Sequence, residues 1–476
     1  MSYIIINTLL LFIISIAFSN FSILIFGFVL SFIPLLFANI THVKKYKKNI
    51  TTLMCISIVV MLLYVMLVYF LCLKAYGKPY YYGGSDDATF EESAEYLLSR
   101  NVFGLREAQG VYIFSMQDSK GYCVLLTWIM RISSYLFGYH TIIPRILNMY
   151  ILLSISVLMV SLYCRKISSK ASTGLFFLLS LFPNSLFISS FVFRDTISVF
   201  LLVLLFYIHF KESKNTASMI IRILLSAFIL YFAFFVRSSL VIIGLCIIAV
   251  SIVFRKQKAY ESKEVHKEDI AFIEASKICL IKNKDSHFKK IRKYVLIGAC
   301  LISLFLVVIF IFGKKINDYI TSYDAYRLDD ANADGGLSIL IFGQPFFPIG
   351  FILRFAYIVV SPIPVNLIKV NSFFEGGIIT LDFINSLGTV LQIFMLAYFF
   401  VSLKKFNKAS LCALLCMCAA LITFTFRHVL LFYPFLFTGI AVQKSYSSPM
   451  KKQLYKVFSA SAILLLGCVY ILLKAL

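Results

Sequence analysis

Apolar stretches of about 17–25 residues recur along the chain, each the length of a helix that crosses bilayer hydrocarbon. Lipid gives backbone N–H and C=O groups no partner, so such stretches satisfy their hydrogen bonds internally as α-helices. The 476-residue chain is 61% hydrophobic and 16% aromatic, and its mean hydropathy of +0.90 excludes a soluble domain. The fold class expected is all-α: a polytopic integral membrane protein with about 13 transmembrane helices plus interfacial helices on its outer face. The stretch 3–16 has neither a basic leader nor a small-residue cleavage site and reads as a retained span, not a signal peptide.

Charge sets the orientation. There are 45 Lys+Arg against 22 Asp+Glu, a net charge of +23. The basic residues gather in short loops between spans, among them Lys44-Lys45, Arg165-Lys166 and Lys404-Lys405, which is the positive-inside pattern of a membrane protein rather than a nucleic-acid surface. Placing these loops in the cytoplasm turns the Ser19-Asn20 hairpin outward and sends the third span, 51–73, from inside to outside. Two apolar stretches, 121–138 and 142–164, then precede inner Arg165-Lys166, where parity allows an odd number of crossings. The first, with Lys120 and Arg131 around an apolar face, reads as an interfacial amphipathic helix. The Pro-broken run 337–366 reads as re-entrant or interfacial. The remaining spans are expected at 172–191, 196–210, 217–236, 238–254, 295–312, 379–402, 409–425, 429–443 and 457–474.

This divides the chain into two N-terminal spans (1–50), a membrane core (51–254) holding an acidic outer loop (75–120) and the interfacial helix, a basic cytoplasmic loop (255–294), and a C-terminal membrane region (295–476) with an outer loop at 314–345. The 11 cysteines show no metal or disulfide spacing and read as small packing residues in lipid. No internal repeat is evident.

Carboxylates are scarce, yet Asp86, Asp87, Glu91 and Glu92 fall together just beyond the third span. Like charges this close repel; the cluster makes sense if it binds a metal, orients a cation or accepts a proton. The plain alternative is a solvated helix start favoured by the helix dipole. The same outer face is expected to collect Lys120, Arg194-Asp195, Arg237, Arg327, Arg354 and Arg427-His428. Ionisable groups at membrane depth are costly unless paired or wetted, which makes Arg194, Asp195 and Arg354 candidates for a cavity. The simpler readings are an ion pair at a span end for Arg194-Asp195 and a snorkelling turn for Arg427-His428. A cavity lined by both Arg and Asp suits an anionic, lipid-linked substrate, since arginine forks hold phosphate oxygens and a carboxylate accepts a hydroxyl proton.

In this order the motifs resemble the GT-C superfamily of membrane glycosyltransferases, which take sugars from polyprenyl-phosphate carriers. The resemblance rests on Asp86-Asp87-Ala-Thr-Phe90 in the first outer loop, Lys120-Gly121-Tyr122 and Phe137-Gly138 bounding the next helix, and Arg145-Ile-Leu-Asn148 opening a span. Pro183, Asp195, and Arg427 followed by Pro434 complete it. Two spans precede the family's usual first one, its Pro-Pro before the Gly-Tyr is missing, and Arg194-Asp195 stands where many members carry Glu. The chain also resembles polysaccharide polymerases of the O-antigen and capsule type, for which Arg194-Asp-Thr-Ile197 and Arg354-Phe-Ala-Tyr357 fit equally well.

These resemblances imply a glycosyl-transferring enzyme of bacterial surface-polysaccharide assembly, multi-pass in the cytoplasmic membrane with its site facing outward. The donor would be an undecaprenyl-phosphate- or diphosphate-linked sugar and the acceptor a glycan or lipid. Asp86 or Asp87 would be the base and Asp195 would position the acceptor or a divalent ion, Mg²⁺ or Mn²⁺, which oxygen ligands suit. Glu91, Lys120, Arg145, Arg194, Arg237, Arg327, Arg354, Arg427 and His428 would bind substrate. A lipid-oligosaccharide flippase is the rival from another class; it calls for charges in span centres and related sequence halves.

Overall fold

The computed structural model describes residues 2–40, 44–84, 86–113, 117–211, 216–252, 344–361, 378–403, 407–423 and 426–475, with isolated residues 318, 321, 322, 325 and 341. Among these, every regular element is helical. The first half carries α1 (Ser2–Ala17), α2 (Ser22–Leu30), α3 (Phe32–Ile40), α4 (Lys44–Tyr76), α5 (Asp86–Ser99), α6 (Leu105–Gln109), α7 (Lys120–Ser134), α8 (Ile142–Tyr163), α9 (Ser169–Leu181), α10 (Pro183–Ser189), α11 (Asp195–Phe210) and α12 (Thr216–Val236). Later helices are Ser239–Ile252, Phe351–Val360, Ile378–Ser402, Lys408–Thr423, Tyr433–Tyr446 and Pro449–Ala475.

Among the described residues, six helices are long and apolar enough to cross a membrane: Ser22–Ile40, Ile50–Tyr76, Ile142–Tyr163, Ser169–Ser189, Met219–Val236 and Thr380–Ser402. Several expected spans are shorter apolar helices, including Ser2–Ala17, Asp195–Phe210, Ser239–Ile252 and Lys408–Leu421. The expected span 429–443 opens as a 3₁₀ turn, Phe426–Leu431, before the helix Tyr433–Tyr446. The last helix, Pro449–Ala475, starts with Lys451, Lys452 and Lys456 and is apolar only in its second half. The Pro-broken run is a π-turn, Phe346–Gly350, leading into Phe351–Val360. Pro362, Pro364, the loop 255–294 and the expected span 295–312 lie outside the described residues.

The chain divides into two units. The first comprises Met1–Ile248, Ala356–Ala420 and Phe424–Leu476; the second comprises Ala249–Phe355 and Leu421–Thr423.

In the first unit α8 is the axis, buried along nearly its whole length and packed by α2, α3, α4, α9 and α11. Its polar side chains meet partners, as polar groups in an apolar interior must. Tyr150 donates to Asn7 Oδ1 of α1 at 2.7 Å, and Asn148 Nδ2 donates to the Phe191 and Phe193 carbonyls at 2.8 and 3.2 Å. Pro183 cannot continue the ladder of α9, so Phe182 turns to extended backbone and Pro183 begins α10 at its first position. Nearby, Asn184 donates to the Tyr433 hydroxyl at 3.2 Å, Tyr433 donates to Gln392, and Gln392 Nε2 donates to the Ile358 carbonyl at 2.7 Å.

Gly121 fixes the docking of α7 on α12. A Cβ there would sit 2.7 Å from Phe235 Cβ and 2.8 and 2.9 Å from its backbone C and O. Backbone atoms cannot step aside, so Gly121→Ala should push α7 off α12 at a cost of about 1–3 kcal/mol. Gly174 of α9 is the control, because a Cβ added there would meet nothing within 4 Å. A thermal unfolding midpoint in detergent that falls for Gly121→Ala and not for Gly174→Ala is expected; equal midpoints would contradict the close approach.

Candidate functional site at the helix ends

The acidic helix is aimed by a short strap. After α4, the chain runs through Pro79-Tyr80-Tyr81 and turns at Gly83 (φ 79°) and Gly84 (φ 147°), backbone that only glycine adopts freely. Each strap residue is tied down. Arg145 Nη2 donates to the Pro79 carbonyl, Tyr80 donates to Glu91 Oε2 at 2.5 Å, and the Tyr81 N–H donates to Asp87 Oδ2 at 2.9 Å. The Tyr81 ring packs edge-on to Phe187, Phe191 and Phe193. The two neighbouring aspartates are thereby separated: Asp87 is buried against the strap, whereas the Asp86 side chain is 47% exposed.

Glu91, one turn further along α5, is buried and accepts three hydroxyls: Tyr80, Tyr139, and Thr141 Oγ1 at 3.0 Å. Burial first and the Glu91 charge second push both phenols up, so they stay protonated donors. His140, next in sequence to Tyr139, is held down to about 4 by burial and then by Arg145, so it is neutral near pH 7. Its Nδ1 accepts the Ile142 N–H at 3.2 Å. The 137–141 turn is in turn fastened to the α1–α2 turn. Asn20 Nδ2 donates to the Gly138 carbonyl at 3.3 Å, and the Phe137 N–H donates to Ser22 Oγ at 2.9 Å.

Asp195, in the first turn of α11, is the centre of charge. Arg237 Nη1 and His428 Nε2 lie 3.7 and 4.0 Å from its Oδ1, and Arg427 Nη1 lies 4.0 Å from its Oδ2. Arg427 Nη2 reaches back to Asp86 Oδ2, and its guanidinium rests 4.2 Å from the Phe193 ring centroid. The distances to Asp195 exceed direct hydrogen-bond length. Buried Arg237 Nη1 has no hydrogen-bond partner among the described residues. Three nitrogen groups thus surround one carboxylate loosely, and the Arg237 Nη1 donor is the one left without a hydrogen bond among the described residues.

Other expected site residues are placed differently. Arg194 Nη1 donates to the Asp118 and Val236 carbonyls at 3.1 and 3.2 Å and to Ser119 Oγ. Burial, then Arg237, lowers it to about 10, which leaves it charged. Lys120 Nζ donates to the Gln109 carbonyl at 3.0 Å, and burial lowers its pKa. Buried Arg145 lies 5.5 and 5.7 Å from the centroids of Tyr69 and Phe191, and its Nε and Nη1 make no hydrogen bond among the described residues. Arg354 is buried and belongs to the second unit; Arg327 lies outside the described residues.

Sequence reasoning missed the tyrosines that hold the acidic helix, although Tyr80-Tyr81-Tyr82 between Gly77 and Gly83 adjoins it and Tyr139 follows Gly138. It also passed over Asp382, the one charged residue in the helix Ile378–Ser402. Among the described residues no group of three or more His, Cys, Asp or Glu is placed to hold a metal ion, and Arg427 faces both Asp86 and Asp195.

Comparison with protein-family models, with curated proteins and with solved structures gives no match.

The two kinds of carboxylate separate in a stability measurement. Glu91→Ala strands three part-buried hydroxyls and should cost about 2–3 kcal/mol, whereas Asp86→Ala removes a half-exposed ion pair and should cost about 1 kcal/mol or less. Unfolding midpoints in detergent test this order, which the reverse ranking would refute.

Proposed function

We propose that this protein is a glycosyl-transferring enzyme of bacterial surface-polysaccharide assembly, working at the outer face of the cytoplasmic membrane on an undecaprenyl-linked sugar. One observation carries the reading: Asp86, Asp195, Arg237 and Arg427-His428, from four separate stretches of sequence, share one charged cluster. It combines an accessible carboxylate with a buried carboxylate ringed by nitrogen groups. In this reading the chain crosses the membrane about 13 times, and α7, an amphipathic helix only 15 residues long, lies along the outer interface.

The chemistry follows from the geometry. Asp86, the exposed member of the pair, takes the proton of the acceptor hydroxyl. The hydroxyl oxygen bonds to the anomeric carbon as the bond from that carbon to the carrier phosphate oxygen breaks, inverting the centre. The electron pair leaves with the phosphate, whose growing charge Arg237, Arg427 and His428 stabilise. Asp195 sets the spacing of these groups. Asp87, Glu91, Arg145, Arg194 and Lys120 hold the strap, α5 and α7 in place. A repeat-unit polymerase acting en bloc on undecaprenyl-diphosphate glycans would need the same arrangement, with the second phosphate as an additional anion.

Complementing a deletion strain decides between these. Asp86→Asn should reduce transfer about 10²–10⁴-fold with the protein still present in the membrane at its usual level. Single repeat units on the lipid anchor would identify a polymerase, and full-length chains lacking one sugar a single-sugar transferase. Surface glycan that is unaltered by the deletion itself would defeat the proposal.

A further inference from the structure

One oxygen of the proposed base is engaged in this structure. Asp86 Oδ2 accepts from Arg427 Nη2, while Arg427 Nη1 faces Asp195 Oδ2 at 4.0 Å. One guanidinium therefore spans carboxylates from two helices, α5 and α11, with its central carbon 4.2 Å from the Phe193 ring centroid. The contact on the α5 side is the shorter but the more solvent-exposed one: the Asp86 side chain is 47% exposed, against 4% for Asp195 and 20% for Arg427. Arg237 Nη1, 3.7 Å from Asp195, adds a buried donor without a hydrogen-bond partner among the described residues.

We infer that Arg427 is a substrate-operated gate: it engages the Asp86 carboxylate at rest and is drawn off by the phosphate of the lipid-linked donor, so that the base is released from its ion pair only when a donor is bound. The inference rests on the proposed function and adds a binding order to it. A phosphate offers several charged oxygens to the Arg237–Arg427 pair, where Asp86 offers one engaged oxygen in partial contact with solvent. The buried Asp195 keeps hold of the guanidinium during the exchange, and the Phe193 face gives it a surface to turn on. Arg427 stays protonated and Asp86 stays a carboxylate; only the ion-pair partner changes. An acceptor that arrives before the donor meets an ion-paired base, which suppresses futile activation of water.

The gate predicts a coupling. If Asp86 competes with phosphate for Arg427, Asp86→Asn should tighten phosphate binding through Arg427, beyond the gain that loss of a nearby negative charge gives without it. The test uses the purified full chain in nanodiscs, with undecaprenyl phosphate as the probe and inorganic phosphate added to carrier-free nanodiscs as a second arm. Dissociation constants are measured for wild type, Asp86→Asn, Arg427→Ala and the double variant. Asp86→Asn should bind the lipid phosphate about two- to fivefold tighter, and that gain should be smaller in the Arg427→Ala background. Arg427→Lys, which keeps the charge and loses the fork, replaces Arg427→Ala if the latter is not monodisperse. A gain of equal size in both backgrounds is general electrostatics and overturns the gate, as does no gain at all. Coupling seen with inorganic phosphate alone would keep the gate and remove the lipid carrier. A folded wild type that binds neither probe would fail the proposed function itself.

Discussion

The buried carboxylate of Asp195 is the constraint around which the first unit is arranged. A charge removed from water at the end of a membrane helix is tolerated only with compensating charge close by. The compensation comes from residues far apart in sequence: Arg237 beyond α12 and Arg427-His428 in the 3₁₀ turn before Tyr433–Tyr446. The ends of α11, α12 and that turn are therefore held together by the need to neutralise one group. The helix dipole at the start of α11 contributes in the same direction. Three partners at 3.7–4.0 Å give attraction without rigid directional bonds, an arrangement that can re-form around another anion.

The opposite half of the site is built on hydrogen bonds with tight geometry. Strap, acidic helix and the 137–141 turn are joined by Arg145, Asp87 and Glu91, each acting on a different strap residue. The α1–α2 turn extends the frame through Asn20 and Ser22. The turn between α1 and α2 is thus connected to the acidic helix through one further turn. A stiff carboxylate frame facing a loose cationic ring is a division of labour: one side holds position, the other responds to charge.

Much of this was legible in the sequence and some was not. Helix limits were readable because lipid enforces them: the expected 379–402, 217–236 and 142–164 match Ile378–Ser402, Thr216–Val236 and Ile142–Tyr163. Their number as crossings was less so, because α11, with 16 residues, is bounded by its own charged ends, Arg194-Asp195 and His209. The grouping of Asp86, Asp195, Arg237 and Arg427 followed from topology alone, since loop parity puts all four on one side. Topology does not tell which charge faces a ligand and which serves the backbone. Arg194 and Arg237 look alike in sequence, yet Arg194 is spent on carbonyls of the 118–119 turn and α12. Glu91 and Asp86 are likewise close neighbours, and the difference is three hydroxyls brought in from two loops.

Position 427 shows why residue type matters beyond charge. A lysine could neutralise Asp195 or Asp86, one at a time, with a single ammonium at the end of a flexible stem. A planar fork with two separated nitrogens reaches both carboxylates while its central carbon stands 4.2 Å from the Phe193 ring centroid. Under the proposed function, an anion that displaces Asp86 competes for the same guanidinium, and one arginine serving both carboxylates couples phosphate binding to release of the base.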